Sequence, residues 1–233
     1  MLNIMLFCIG ACLASFFNVV IERIHYNQSF FIQRSKCNHC QQILPFYCLC
    51  PILSALILKH RCLFCYSRFP YYYTLTEIIW GFLMIYIYHH YYSVELLWIF
   101  IFSCLMYFSF MADLLYYELY TWLFICLSLC FLLIGFIYCH LELNLSQLVI
   151  YLLIVTLLYP FYKHSLGVGD IIFFALYVII YPFAYLPLIV FIATLLGLVT
   201  YCLLHIYNYQ IKFLPFIPFL ITSELCFEIF FHA

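Results

Sequence analysis

Apolar runs long enough to cross a bilayer follow one another along most of this chain, and its polar residues gather in one early segment. The first run, Leu2 to Ile21, spans 20 residues without a charge, has no Lys or Arg before it and ends directly on Glu22-Arg23. No small-residue cleavage pattern follows, so it reads as an uncleaved first span rather than a signal peptide. Residues 22–70 form the one sizeable polar segment. Beyond it the pattern predicts further spans near 71–89, 95–112, 120–139, 147–162, 171–184, 186–205 and 214–231. The breaks fall at His89-His90, from Asp113 to Glu118, at Glu142 and Asn144, at the turn from Gly167 to Asp170, at Pro182 with Pro187, and from Asn208 to Lys212. A hydrocarbon core about 30 Å thick needs a helix of roughly 20 residues, so the span at 171–184 is short for a full crossing. The expected architecture is an all-α, polytopic membrane protein of about eight transmembrane helices. It divides into a first helix at 1–21, a cytoplasmic loop at 22–70 and a transmembrane core at 71–233.

Composition agrees: 70% of the 233 residues are hydrophobic, 23% are aromatic and only 7% are charged. A soluble domain carries about a quarter of its residues as charges, so this one lacks the means to solvate its surface. The lipid bilayer is its first partner. With a formal net charge of -1 and no basic patch, the sequence offers nothing to nucleic acid. The tyrosines near span ends read as an interfacial aromatic belt. Six of the eight cations, Arg23, Arg34, Lys36, Lys59, Arg61 and Arg68, sit in residues 22–70, which makes that loop cytoplasmic. An eight-span path puts the other two, Lys163 and Lys212, on the same side.

The chain has two aspartates, Asp113 and Asp170, each at the mouth of an apolar span. Two predicted spans separate them, so both emerge on the cytoplasmic face, at a depth where ionisable groups are costly and usually functional. A close carboxyl pair can keep one proton while its other member acts as base toward a water, which is the chemistry of peptide hydrolysis without a covalent intermediate. The competing reading is that each Asp caps a helix amino terminus. Asp170 closes Gly167-Val168-Gly169-Asp170, whose glycines permit a sharp turn and close approach to another chain.

Cysteines supply the other candidate site. Cys37, Cys40, Cys62 and Cys65 make two Cys-x-x-Cys pairs with 21 residues between them, a spacing suited to tetrahedral zinc. A reducing cytoplasmic loop argues against disulfides. Free thiols remain open, as does a ligand set that substitutes Cys48 or Cys50. A loop this short has little apolar material for its own core, so a metal would supply much of its folding energy. Cys8, Cys12, Cys104, Cys126, Cys130, Cys139, Cys202 and Cys226 lie in or beside spans and read as small apolar side chains.

Gly-x-Gly-Asp opening a span resembles the signature of membrane aspartyl proteases, and the chain is similar almost end to end to the bacterial type IV prepilin peptidases. Gly10 with the segment from Ser15 to Arg23, the stretch from Arg34 to Cys40, Pro51-Ile52-Leu53-Ser54, the stretch from Arg61 to Cys65, and Glu77 with Gly81 match family motifs in order. So do Ala112-Asp113-Leu114, the Gly167-to-Asp170 turn and Leu214-Pro215-Phe216-Ile217-Pro218-Phe219. Departures are Ala14 for Gly, Thr74 for Pro, and Tyr120-Thr121 where Pro-Asp often follows the first catalytic Asp. Small size and Phe/Tyr richness are more like the competence-associated Gram-positive branch. The resemblance implies catalytic Asp113 and Asp170 at the cytoplasmic face of a bacterial inner membrane. It implies prepilin-like membrane proteins as substrates, cut between a short basic leader and an apolar helix. It also implies, for many members, methylation of the new amino terminus with S-adenosylmethionine, for which no glycine-rich fingerprint is visible here. Lys163 and His164 read as a membrane anchor before the turn, and Glu22 and Glu77 as interfacial partners of Arg23 or Arg68. Two other classes compete: an ion transporter using the paired acids, which would want polar residues in mid-span where these spans are nearly free of them, and a zinc-binding membrane scaffold without catalysis.

Overall fold

A computed structural model describes residues 1–28, 34–37, 39–91, 93–138, 144–162, 167–207 and 214–231. Among the described residues the chain is helical throughout, with two isolated antiparallel bridges in place of any strand. Eight longer helices stand where the apolar pattern predicts spans: α1 (Leu2–His25), α3 (Tyr71–His90), α4 (Ser93–Tyr116), α5 (Thr121–Tyr138), α6 (Leu145–Tyr162), α7 (Val168–Ile180), α8 (Leu186–Ile206) and α9 (Ile217–Phe231). A short α2 (Leu53–Ile57) lies in the polar segment. By length and hydropathy four stretches among the described residues suffice to cross a membrane alone: Leu2–His25, Glu95–Tyr116, Thr121–Tyr138 and Phe183–Ile206. At 13 residues α7 covers about 20 Å, which confirms that the sixth span is short. The protein is thus an all-α polytopic membrane protein. Its helices show large apolar side chains outward, such as Leu153 and Leu157 on α6 and Leu195 and Leu198 on α8, as lipid rather than water demands. Cys139, Glu142, Lys163, His164, Asn208 and Lys212 lie outside the described residues.

The chain forms two compact units, Met1–Phe100 and Ile101–Ala233. In the first, α1 and α3 run antiparallel along a seam of small residues, with Gly10, Ala11, Ala14 and Asn18 of α1 buried. Lipid tails give no hydrophobic drive for helix pairing, so the pair depends on close backbone approach and interhelical hydrogen bonds. Both are present. A Cβ on Gly10 would lie 2.7 Å from the Trp80 carbonyl oxygen, and one on Gly81 2.6 Å from the Phe7 ring. Asn18 Nδ2 donates to Thr76 Oγ1 at 3.1 Å, while the Thr76 hydroxyl donates to the Tyr73 carbonyl at 2.8 Å. Glu77 sits in the same seam; its carboxylate accepts the Ile52 N–H at 2.9 Å and bonds the Ser15 hydroxyl, rather than pairing with Arg23 or Arg68.

In the second unit α8 packs on α9 and α6 on α7, around a core that includes Phe124, Phe131, Phe173, Leu176, Val178, Ile189, Ile217 and Leu220. Polar clasps fasten the α6–α7 pair. The Tyr151 hydroxyl donates to the Ile171 carbonyl at 2.9 Å, the Asn144 N–H to the Ile179 carbonyl at 3.1 Å, and Gln147 Oε1 accepts the Phe183 N–H at 2.8 Å.

Because the seam fails at the backbone of Trp80, Gly10→Ala should destabilise the detergent-solubilised protein by about 1–3 kcal/mol. Gly197→Ala should stay within about 0.5 kcal/mol, since a Cβ there meets Phe219 at an ordinary 3.7 Å. Thermal melting of the two variants checks this, and equal melting temperatures would contradict the seam.

Candidate active site and metal centre

Cys37, Cys40, Cys62 and Cys65 converge, with all four sulfurs within 4.8 Å of one another. The backbone explains how. Cys37 N–H donates to the Gln42 carbonyl and the Cys37 carbonyl accepts the Gln41 N–H; 25 residues on, Cys62 N–H donates to Ser67 and the Cys62 carbonyl accepts from Tyr66. Gln41 and Tyr66 both take positive φ, 58° and 57°. A bridge closes each turn, Lys36 with Ile43 and Arg61 with Arg68, and beyond it Leu44 bonds Ser35 as Phe69 bonds His60. The two knuckles are thus copies of one turn, and each aims its pair of thiols at the other pair.

Zinc with bonds of about 2.3 Å requires tetrahedral sulfur edges of about 3.8 Å. Cys37 lies 3.7 Å from Cys65 and Cys40 3.9 Å from Cys62, well beyond a disulfide bond of about 2.05 Å. Cys48 and Cys50 stand outside the cluster, which removes the alternative ligand set. Electrostatics points the same way. Burial raises the Cys37 thiol, but the backbone N–H groups of Cys40 and His39 and the Ser67 hydroxyl outweigh it and bring it down to about 6. At Cys40 the Gln42 backbone acts downward, yet desolvation and the neighbouring Cys37, Cys65 and Cys62 push the thiol up to about 11. Four thiols this close ionise together only around a cation, so the donor set fits zinc. The zinc-bound protein should carry one metal per chain by elemental analysis. Cys37→Ser combined with Cys62→Ser should strip it and loosen the loop to protease, and an unchanged metal content would exclude these ligands.

The aspartates both lie in the second unit. Asp113, 9% exposed, sits in the last turn of α4, and its Oδ2 accepts the Ile217 N–H, the first of α9, at 2.9 Å. Phe216 N–H is a second backbone donor to it. Asp170 is the third residue of α7; its Oδ2 accepts the Gly167 N–H at 3.2 Å, one half of a capping box whose other half glycine has no side chain to make. Each carboxylate therefore does serve a helix amino terminus, as the competing reading expects. The helix carrying Asp170 also approaches the chain that follows Asp113. The glycines act through clearance rather than through left-handed backbone. Gly167 has ordinary extended backbone, φ -74° and ψ 152°, and none of the described glycines has positive φ. What Gly169 supplies is clearance, because a Cβ there would lie 2.8 Å from Leu119 Cβ in the α4–α5 connection. That close approach brings the first turn of α7 to the chain just beyond Asp113.

Sequence reasoning missed two things here. The Leu214–Phe219 segment, matched as a motif, presents its backbone N–H groups to Asp113. Glu224 on α9 was passed over in a span expected to be nearly free of polar groups; it is 4% exposed and accepts the hydroxyls of Tyr177 and Tyr181. An acid in the middle of an apolar run is itself the signal that finds it.

Residues 8–91 match the bacterial peptidase A24 N-terminal domain. A prepilin leader peptidase/N-methyltransferase of Myxococcus xanthus (strain DK1622) is 40% identical over 80 residues, which is 34% of this chain and 24% of that protein. The match thus spans about a quarter of the relative's length. No solved structure matches the chain. The domain match takes in the seam between α1 and α3 and both knuckles, and it stops short of Asp113. This part of the chain is similar to the amino-terminal domain of bacterial A24 peptidases and to a prepilin leader peptidase/N-methyltransferase, in keeping with the motifs it carries.

Proposed function

We propose that the protein is an aspartyl-type prepilin leader peptidase. The observation that carries this reading is a conjunction in one chain. A match to a peptidase A24 amino-terminal domain is followed by two aspartates, Asp113 and Asp170, that stand at the ends of apolar helices, where Gly169 beside the second abuts Leu119 just beyond the first. Two carboxyls so placed cannot both ionise readily, so one holds a proton and the other draws a proton from a water. That water attacks the scissile carbonyl. The protonated partner bonds the developing oxyanion and then gives its proton to the leaving amine. Helix amino termini at Ile217 and Gly167 hold the carboxylates in place while this happens.

In this reading Leu2–Ile21 anchors the chain, residues 22–70 form a metal-held cytoplasmic loop, and residues 71–233 form the peptidase core. The active site faces the cytoplasm at the inner membrane of a bacterium. Substrates are prepilin-like precursors whose apolar helix, seated in the bilayer, fixes the depth of the bond that is cut, so side-chain recognition around it can be loose. The relative's name carries a methyltransferase as well. For this chain, methylation of the new amino terminus from S-adenosylmethionine is a second proposed activity, read as the mass of one methyl group on the processed product.

Asparagine separates catalysis from capping, because its amide oxygen still accepts an N–H bond but cannot take the water's proton. Co-expressed with a prepilin-like precursor, Asp113→Asn and Asp170→Asn should each lower cleavage by at least about 10²-fold, with the protein's level in the membrane unchanged. Cleavage at the parental rate in either variant, read as precursor size on a gel, would leave the aspartates as caps and overturn the dyad.

A further inference from the structure

Glu224 takes no part in the proposed chemistry, yet it is the most deeply placed acid described in the second unit. Its two oxygens divide the work: Oε2 accepts the Tyr177 hydroxyl, and Oε1 accepts the Tyr181 hydroxyl at 3.1 Å. Tyr177 rides on α7 and Tyr181 is the extended residue that ends it, four positions on, and the face of Tyr177 begins at Asp170 and continues through Phe174. The Phe174 ring meets Phe216 at 6.3 Å, so α7 and the chain entering α9 touch along a line from Phe174–Phe216 to the tyrosines and Glu224.

The spacing along this line closes a circuit. From Asp170 to Tyr177 is seven residues of helix, about 10.5 Å; from Glu224 back to Ile217 is also seven residues, again about 10.5 Å. Ile217 N–H then bonds Asp113. Two equal helical arms, joined at one end by a carboxylate with two phenols, return at their other ends to the same level. There Gly169, beside Asp170, abuts Leu119 in the connection that follows Asp113.

An apolar side chain at position 224 would pack acceptably against α7 in several rotations of α9. A buried carboxylate would not. It is costly without donors, and here the two donors are reached in a single rotation and axial register. A polar group that fixes register among apolar helices is the best attested use of such burial.

We infer that Glu224 is a positioning residue: held by Tyr177 and Tyr181, it sets the rotation and height of α9 on α7, and so keeps the Ile217 N–H on Asp113 opposite Asp170. This rests on the aspartyl reading for its effect on cleavage, but not for its geometry. The geometry has its own readout. Leu214 to Phe219 contains two prolines, so hydrogen exchange of that segment reports on few amides, the Ile217 amide among them.

The test uses the full chain in lipid nanodiscs. Glu224→Leu should speed exchange of residues 214–219 by roughly tenfold or more while leaving α1 and α3 unchanged, and should lower kcat for leader cleavage by roughly 10- to 100-fold with KM held within about twofold. Glu224→Gln, which keeps an acceptor oxygen for one phenol, should recover most of the loss. Tyr181→Phe offers a milder variant should the leucine protein fail to fold. It should show both effects in smaller degree, and combined with Glu224→Gln it should add little. Parental exchange at 214–219 in the Glu224 and Tyr181 variants overturns the proposal, as does a full kcat with faster exchange. Should Asp113→Asn and Asp170→Asn go on cleaving, the aspartyl reading falls, and exchange alone still decides whether Glu224 holds Ile217 on Asp113.

Discussion

Inside a bilayer a polar atom has no water to turn to, and each one must find its partner within the protein. Hydroxyls such as Ser109 and Ser223 turn back to a carbonyl of their own helix, while the larger polar groups are answered between elements. Asn18 reaches Thr76 across the first seam, Glu77 holds the backbone of the loop at Ile52, Tyr151 holds the backbone of α7, and Asp113 holds the start of α9. Apolar packing alone leaves a helix free to turn about its axis. These bonds remove that freedom at single, identifiable places, and so a nearly featureless apolar chain acquires one arrangement.

The two accounts of the aspartates turn out to be compatible. Each carboxylate spends one oxygen, Oδ2, on the amino terminus of a helix. Capping of this kind holds a side chain in one rotamer without a covalent tie, and catalysis asks for the same restraint. A residue that caps is therefore well prepared to react, provided that a second carboxyl is near.

Much of this was legible in the residues. Periodicity and charge placed all eight long helices, because a bilayer imposes a length and a polarity that soluble proteins escape. The cysteine spacing marked the four thiols that converge. A signal that was present but not used is the 25-residue repeat itself, in which a cation, Cys-x-x-Cys and a Leu-Pro or Phe-Pro recur from Lys36 to Pro45 and from Arg61 to Pro70. Glu224 was harder, since its meaning depends on which face of α7 it meets, and helix rotation leaves no trace in a run of apolar letters. The glycines before Asp170 left two readings open. Glycine permits both unusual dihedrals and close contact, and only coordinates tell which permission is exercised.

The hold of Glu77 on Ile52 ties the thiol cluster to the membrane helices. Ile52 has φ 60°, a posture that a β-branched residue keeps only under constraint, and its segment is tethered at each end by a knuckle. Oxidants or chelators that dismantle the cluster would let Ile52 relax to an ordinary backbone and leave Glu77 short of a donor in the α1–α3 seam. Chemistry confined to sulfur would in this way be transmitted to a buried carboxylate of the helix seam.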